Sequence, residues 1–340
     1  MINDNNNNSN EDKNIANVIL LLVSVFPSII AGILLPSIGK LFSPYLLVWL
    51  GVLLFLNLIR LELRDLVPSF TNLSRILVLS TLKISVVPLI LYAITNTFYP
   101  IESLPILLLS GISTGLGAPF VVNFVAGGTA GRKGLNLVVG MIIATSLAVP
   151  FTLPSFVYLL FHQHFSLSLS NMIILLSTAL FIPLGLGWLT KRYLPKIAMS
   201  IDKKSLPLSM IVIVFINFGM FARFSSYFYN DLLFVINTIM LSSFLFVIYG
   251  VFGYGTDRIL KLIVNYRNGS TIHNGNSNHT EEEDDDSIFP FISMSYINNI
   301  LVAVFAEQFF GPKIAALAAF YNVPYYVGLF FIKRMQRHRQ

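Results

Sequence analysis

Residues 104–125 read LPILLLSGISTGLGAPFVVNFV, and the expected architecture is arranged around this segment. It is apolar and about long enough to cross a bilayer, which takes roughly 20 helical residues. Its middle, 115–119, does not suit a continuous helix, because Pro119 lacks a backbone donor and Gly115 and Gly117 loosen the chain. Backbone groups freed in a bilayer must bond within the protein or line a cavity. The stretch therefore predicts either a helix broken near the midplane, where transporters bind solutes, or a proline kink without a ligand.

The composition identifies a membrane protein. Of 340 residues, 55% are hydrophobic and only 11% are charged, whereas about 25% of a soluble protein is charged. The absence of cysteine excludes disulfides, thiolate metal sites and cysteine nucleophiles. The apolar segments also lack paired carboxylates, histidine clusters and a nucleophile beside a base. We therefore expect an all-α polytopic membrane protein that is not an enzyme and needs no cofactor or metal.

Ten apolar segments predict ten transmembrane helices, which we call spans 1 to 10. They form a single transmembrane domain at 15–332, between a polar tail at 1–14 and a basic tail at 333–340. A polar loop at 255–287 contains the acidic run 281–286, whose role the sequence does not indicate. The spans lie near 15–38, 44–60, 76–98, 104–125, 135–160, 167–190, 207–228, 231–254, 288–310 and 312–332.

The basic residues predict the orientation. With the N-terminus inside, 18 of the 22 lysines and arginines fall on the cytoplasmic side, and Lys83 lies within span 3. The opposite side has only Lys40, Arg223 and Lys313. Because cytoplasmic loops of membrane proteins are enriched in Lys and Arg, both termini are expected in the cytoplasm of a cell-membrane protein.

Ten spans divide into two repeats of five, at about 15–162 and 167–332, and an odd number inverts the second repeat. Span 9 then corresponds to span 4. It contains the adjacent amides Asn298 and Asn299 near the midplane. Buried amides need hydrogen-bond partners, so this pair either binds a solute or bonds a neighbouring helix.

Three stretches resemble the bile acid:sodium symporter family. They are LLVWLGVLLFLNLIRLELRDL, GISTGLGAPFVVNFVAGG with the following LNLVVGMIIATSLAVPFTLPSFVYLL, and MSYINNILVAVFAEQFFGPKIAALAAFYNVPYY. They follow the family's order over nearly the whole chain. The resemblance implies a panel of spans 1, 2, 6 and 7 and a core of spans 3–5 and 8–10. It also implies a substrate site between them, beside two crossing broken helices.

The sequence departs from this family at its sodium ligands. Sodium-coupled members have a Ser-Asn pair in the first crossover, hydroxyls in the next helix, and a glutamate followed by Gln-Asn in the second crossover. In this sequence Ala118-Pro119 or Pro119-Phe120 stands in place of the Ser-Asn pair, and Val138 and Ile142 stand in place of the hydroxyls. Ser293 stands in place of the glutamate, and Ile297-Asn298 in place of the Gln-Asn pair. Only Asn298 keeps the family's residue. Because sodium needs oxygen ligands, we do not expect sodium coupling.

Lys83 suggests what replaces sodium. The resemblance aligns it with a sodium-binding glutamine that precedes a proline by five residues, here Pro88. Our hypothesis is that its ammonium stands in place of the cation and bonds Asn298, Asn299 or a freed crossover carbonyl. A buried lysine could also carry a proton. The alternative is that Lys83 snorkels to the cytoplasmic headgroups.

The expected function is secondary transport of a small organic solute. An organic anion is favoured, because half-helix N-termini and a buried cation both attract negative charge. The expected partners are the lipid bilayer, the solute and, as a candidate coupling ion, the proton; no nucleic acid is expected. The alternative is a transporter-like receptor or scaffold that moves no solute. Predicted substrate-binding residues are Gly115, Gly117, Pro119, Asn123, Ser293, Asn298 and Asn299, with Lys83 as the coupling or cation-replacing residue.

Overall fold

The computed structural model describes residues 20–60, 73–126, 128–163, 165, 168–269 and 288–337. The tail at 1–14 and the acidic run at 281–286 lie outside them. The described residues are helical apart from their connections, and the predicted all-α class is confirmed. The helices are α1 (Leu20–Leu34), α2 (Leu46–Arg60), α3 (Leu73–Phe98), α4 (Pro100–Ser110), α5 (Ala118–Val125), α6 (Gly128–Phe161), α7 (Leu169–Tyr193), α8 (Pro195–Asn230), α9 (Leu232–Gly269), α10 (Ile288–Ser295), α11 (Asn299–Phe310), α12 (Pro312–Phe320) and α13 (Asn322–Arg337).

The long helices are suited to a bilayer. Within the described residues, seven helical segments are long and apolar enough to cross a membrane, and α1, α4 and α11 are shorter apolar helices. Large side chains such as Ile174, Ile182 and Met240 are exposed along these helices, as expected where lipid covers the surface. The chain is therefore an integral, multi-pass membrane protein. The count of ten spans and the inverted repeat stay predictions.

The helices pack in two groups. The first, which we call the panel, contains α1, α2, α7 and α8: α2 packs against α7 and α8, and Gly32 of α1 lies against the backbone of α8 at Phe218. The second, the core, contains α3–α6 and α9–α13, in which α4 packs on α3, α10 on α9 and α12 on α11. This grouping agrees with the one that the family resemblance implies.

Span 4 consists of two half-helices rather than one kinked helix. The chain leaves α4 after Ser110 and enters α5 at Ala118. The break thus lies at 111–117, slightly earlier than the predicted 115–119. Pro119 is among the first residues of α5, where a missing donor costs nothing because helix starts leave N–H groups unpaired anyway. Pro119 therefore starts the second half-helix instead of breaking the first.

The break in span 4 crosses a matching break in span 9, between α10 and α11. The two segments run antiparallel where Thr114 faces Ile297. The Gly115 amide donates to the Tyr296 carbonyl at 2.7 Å, and the Asn298 amide donates to the Ser113 carbonyl at 3.0 Å. Each break therefore satisfies backbone groups that the other leaves free, as the absence of water in a bilayer requires.

Candidate functional site

A cavity of about 460 Å³ lies between the panel and the core, beside the crossing point. This volume is within the usual range for small-molecule sites. Six of the seven predicted substrate-binding residues line it, namely Gly115, Gly117, Pro119, Asn123, Asn298 and Asn299. Ser293 does not. It is fully buried in α10, where its hydroxyl donates to the Phe289 carbonyl at 2.9 Å. Binding of a solute to these residues stays a prediction.

The panel side of the cavity is mostly apolar, and the core side is mixed. The panel contributes mainly leucine, methionine and isoleucine side chains, including Leu50, Leu53 and Met210. None of the described residues that line the cavity is charged. Hydrogen-bonding groups come instead from Asn57, Asn123, Asn136, Ser209, Asn298, Asn299, Asn322, Tyr325 and Tyr326. Such a cavity fits a small amphipathic molecule better than one with several charges.

The N-termini of two half-helices meet this cavity. Gly117 is the N-cap of α5, and Asn298 is the N-cap of α11, where its side-chain oxygen accepts from the Leu301 amide at 3.4 Å. Both caps line the cavity. Because a helix N-terminus carries a partial positive charge and free N–H groups, the pair favours a negatively charged ligand group.

Tyr325 of α13 is a cavity residue that the sequence analysis did not single out. A Cβ atom on Gly117 would collide with the Tyr325 hydroxyl oxygen, so this glycine lets the tyrosine reach the N-terminus of α5. The Tyr325 ring packs edge-on against Tyr296, with ring centroids 4.7 Å apart. The one feature of the sequence that pointed to Tyr325 was its position in the third stretch that resembles the symporter family.

We expect Gly117→Leu to abolish transport and to leave folded protein in the membrane. The leucine would displace the end of a flexible tyrosine side chain, which can move, but it would fill the cavity at the N-terminus of α5. Solute uptake and the monodispersity of the purified protein check the two parts. Normal transport by this variant would mean that the break has only a structural role.

Lys83 lies in the middle of α3, in a π-helical turn at Leu82–Val86 just before Pro88. Its side chain is buried, at 2% exposure. The ammonium donates to the Met294 carbonyl of α10 at 2.7 Å. It therefore bonds a crossover carbonyl, one of the partners hypothesised, and neither Asn298 nor Asn299. In this conformation Lys83 does not snorkel to the headgroups, and it lies behind the cavity wall rather than in it.

Three donors cover the C-terminus of α10. Besides the Lys83 ammonium on Met294, the Thr114 hydroxyl donates to the Ser293 carbonyl at 2.9 Å, and the Tyr321 hydroxyl donates to the Ser295 carbonyl at 2.8 Å. A helix C-terminus carries a partial negative charge. The position of the ammonium is therefore electrostatically favourable, and it holds α3 to the crossover.

A chain of amides joins the core to the panel. The Asn299 side chain donates to the Asn322 side-chain oxygen at 2.8 Å and to the Ala318 carbonyl at 3.2 Å. Asn322 in turn donates to the side-chain oxygen of Asn217 on α8, at 3.3 Å. Asn299 thus bonds neighbouring helices, as one of the two alternatives expected. It also lines the cavity, and binding of a solute to it stays a prediction. Asn217 and Asn322 were not predicted as site residues, because isolated amides in apolar helices form no motif.

The panel and core make direct contact beyond the far end of the cavity. Arg223 of α8 forms a salt bridge with Glu307 of α11. The Phe320 ring of α12 packs against Phe221 and Phe224 of α8. The cavity itself is lined by residues close to the basic ends of the helices, such as Asn57 and Leu206. We refer to the region of Arg223, Glu307 and Phe320 as the sealed side.

Two crossing half-helix pairs beside a cavity between two helical groups define a membrane transporter of the broken-helix type. A model of the Sodium Bile acid symporter family matches residues 47–231, more than half of the chain. The chain belongs to that family. The match runs from α2 to the end of α8 and includes the first crossover. No curated protein matches the chain. Members of this family are transporters rather than enzymes, and the protein is accordingly a secondary transporter of a small solute.

Proposed function

We propose that the protein transports a small organic anion by alternating access and that sodium does not drive it. The observation that carries this proposal is the ammonium of Lys83 on the Met294 carbonyl, at a position that the family resemblance assigns to a sodium ligand. A fixed cation there would do for the crossover what a bound sodium ion does elsewhere in the family.

The environment of the crossover supports the loss of sodium. Val138 and Ile142, which stand where sodium-coupled members have hydroxyls, are buried apolar side chains. The Ser293 hydroxyl bonds within its own helix. The nearby Thr145 hydroxyl accepts from the Thr114 amide at 3.1 Å. A hard cation needs about six oxygen ligands, and these side chains offer few. Proton coupling, with Lys83 as the carrier, is the alternative to a fixed charge at this position.

The anionic substrate is supported by the cavity. Two half-helix N-termini reach it, and none of the described residues that line it is acidic. Carboxylate or sulfonate groups suit such N-termini, and the leucine-rich panel wall suits an apolar body. We therefore propose Gly115, Gly117, Pro119, Asn123, Asn298 and Asn299 as substrate-binding residues. Ser293 is assigned instead to the support of the crossover, because it lies outside the cavity.

The proposed architecture is a single transmembrane domain at 15–332 with ten spans in two inverted repeats. The antiparallel pairing of the two breaks supports it, since an inverted repeat places equivalent breaks in opposite directions. The proposed location is the cell membrane, with both termini and the 255–287 loop in the cytoplasm.

This topology predicts the accessibility of two tags. A tag at residue 275 should be reached only from the cytoplasm, and a tag at residue 164 only from outside, because three predicted spans separate them. Protease protection in intact and permeabilised cells measures both. If both tags face the same side, the five-plus-five arrangement is wrong.

A second candidate function is a receptor or scaffold that keeps the fold without moving solute. The bond between Lys83 and Met294 favours it in one respect, because a lysine can lock the crossover that sodium otherwise assembles reversibly. Solute flux in proteoliposomes separates the two candidates.

The proposal is tested by a thermal-shift screen of the purified protein. Organic anions, including taurocholate and smaller carboxylates, are tested with sodium and with choline as the cation. A true ligand stabilises the folded state by mass action. We expect at least one anion to raise the melting temperature equally in both salts, and labelled uptake of that anion then tests transport. Stabilisation that requires sodium would contradict the proposal.

A further inference from the structure

We infer that the empty carrier cannot change conformation readily, so that the protein works as an obligate exchanger of one anion for another. The inference rests on the proposed function, and in particular on a positively charged Lys83. It concerns a different step, the return of the carrier without substrate.

Among the described residues, the buried Lys83 ammonium has no carboxylate partner. In the described part of the chain, its partner is the Met294 carbonyl. The salt bridges there join other residues, namely Arg75 and Lys261 to Asp257, and Arg223 to Glu307. The described cavity lining also has no acidic side chain. The charge is therefore not neutralised within this part of the protein.

The cavity adjoins the same crossover segment that Lys83 contacts. Met294 precedes Ile297 by three residues, and Ile297 lines the cavity. While the cavity is open, its water lowers the energy of the ammonium through the crossover. An anion held at the N-termini of α5 and α11 would do so more strongly, because it brings an opposite charge to the same segment.

Alternating access removes the water. To open the sealed side, the panel must close over the crossover, and its facing side chains include Leu50, Leu53 and Met210. Without substrate, this would leave an isolated charge in an apolar environment, which is costly. With a bound monovalent anion, the charge of Lys83 is balanced and the same movement is allowed. The loaded carrier therefore crosses in both directions, and the empty carrier stays where it is.

The exchange balances without another ion. One anion leaves as another of the same charge enters, and the charge of Lys83 stays on the protein. The direction of net transport then depends on which anions are present on the two sides, and no solute is accumulated against an empty compartment.

The natural absence of cysteine allows a test that needs no known substrate. Phe320 is fully buried on the sealed side, so a cysteine there becomes reactive only when that side opens. Ser225→Cys on α8 is a nearly isosteric second reporter at a buried position. Each is placed in the full chain with Lys83 and with Lys83→Gln, in nanodiscs dialysed free of solute. A maleimide reagent then measures the modification rate.

We expect Lys83→Gln to raise the modification rate of both reporters about tenfold or more, which corresponds to about 1.4 kcal/mol. Leu53→Cys, which lines the open cavity, should react readily in both backgrounds and no faster with Lys83→Gln, because opening the sealed side closes the cavity. This control also reports correct folding. Equal reporter rates with Lys83 and Lys83→Gln would overturn the inference, because the empty carrier would then open in spite of the lysine, as net proton-coupled transport requires. If neither reporter is modified in either background, and organic anions added to the nanodiscs do not change this, the protein does not alternate, and the proposed transport function fails with the inference.

Discussion

Replacing Gly115 with alanine is expected to abolish transport and to destabilise the fold. An added Cβ would lie 2.5 Å from the Ile297 carbonyl oxygen and 2.8 Å from its carbonyl carbon. Neither backbone can retreat easily, because the Gly115 amide is bonded to Tyr296 across the crossing point. Overpacking of this kind typically costs about 1–3 kcal/mol. Thermal unfolding followed by scanning calorimetry in detergent measures the loss of stability, and uptake measures the loss of transport.

Two other glycines serve as matched controls for Gly115. A Cβ added to Gly185 in α7 would meet open space, so Gly185→Ala should leave stability unchanged or raise it slightly. Gly117→Ala meets only the end of the Tyr325 side chain and should fold normally. A stable, active Gly115→Ala protein would mean that the two crossovers do not approach as closely as described.

Substitution of Lys83 is expected to have the second large effect. Lys83→Met leaves the Met294 carbonyl without its donor, which costs about 1–3 kcal/mol for a buried group. It also removes the charge that supports anion binding. Lys83→Gln keeps a shorter neutral donor, so it should restore part of the stability and little of the affinity. Thermal unfolding without ligand measures the loss of stability, and the further stabilisation by an added anion measures the loss of affinity.

Lys83→Arg tests the proton alternative. If Lys83 carries a proton, wild-type flux should depend on a pH gradient, and the arginine variant should lose that dependence because guanidinium stays charged. Lys203 is exposed at the basic end of α8, and Lys203→Gln should be silent in every assay. If the Lys83 variants also leave stability, anion binding and uptake unchanged, the lysine is tolerated at this position without a role in transport.

Local sequence indicated the break in span 4, because glycine and proline are unusual in the middle of an apolar stretch. The break in span 9 was expected from the repeat and the family resemblance, since no glycine lies there. The predicted break in span 4 lay a few residues too late in the sequence. Proline can end one helix or start the next, and here Pro119 starts the second half-helix. The family resemblance supplied the two helical groups, which hydropathy alone does not indicate. Six of the predicted site residues line one cavity because they lie beside the two breaks, which cross next to it.

The rest of the site depends on contacts between segments that are distant in sequence. Met294 lies 211 residues from Lys83, and nothing near either residue indicates that its carbonyl receives the ammonium. Tyr325 was missed because its role depends on the missing side chain of Gly117. The amides of Asn217 and Asn322 lie in different helices, and only their approach in the folded chain shows that they join the panel to the core.

The central claim is that a fixed lysine ammonium replaces sodium in this transporter. The most direct test is uptake of a stabilising organic anion into proteoliposomes, with all sodium exchanged for choline and the anion supplied on both sides to allow exchange. We expect the same initial rate in both salts, and a reduced rate for Lys83→Met in each. Uptake by the wild-type protein that disappears in choline and returns with sodium would show that sodium, and not the lysine, supplies the cation.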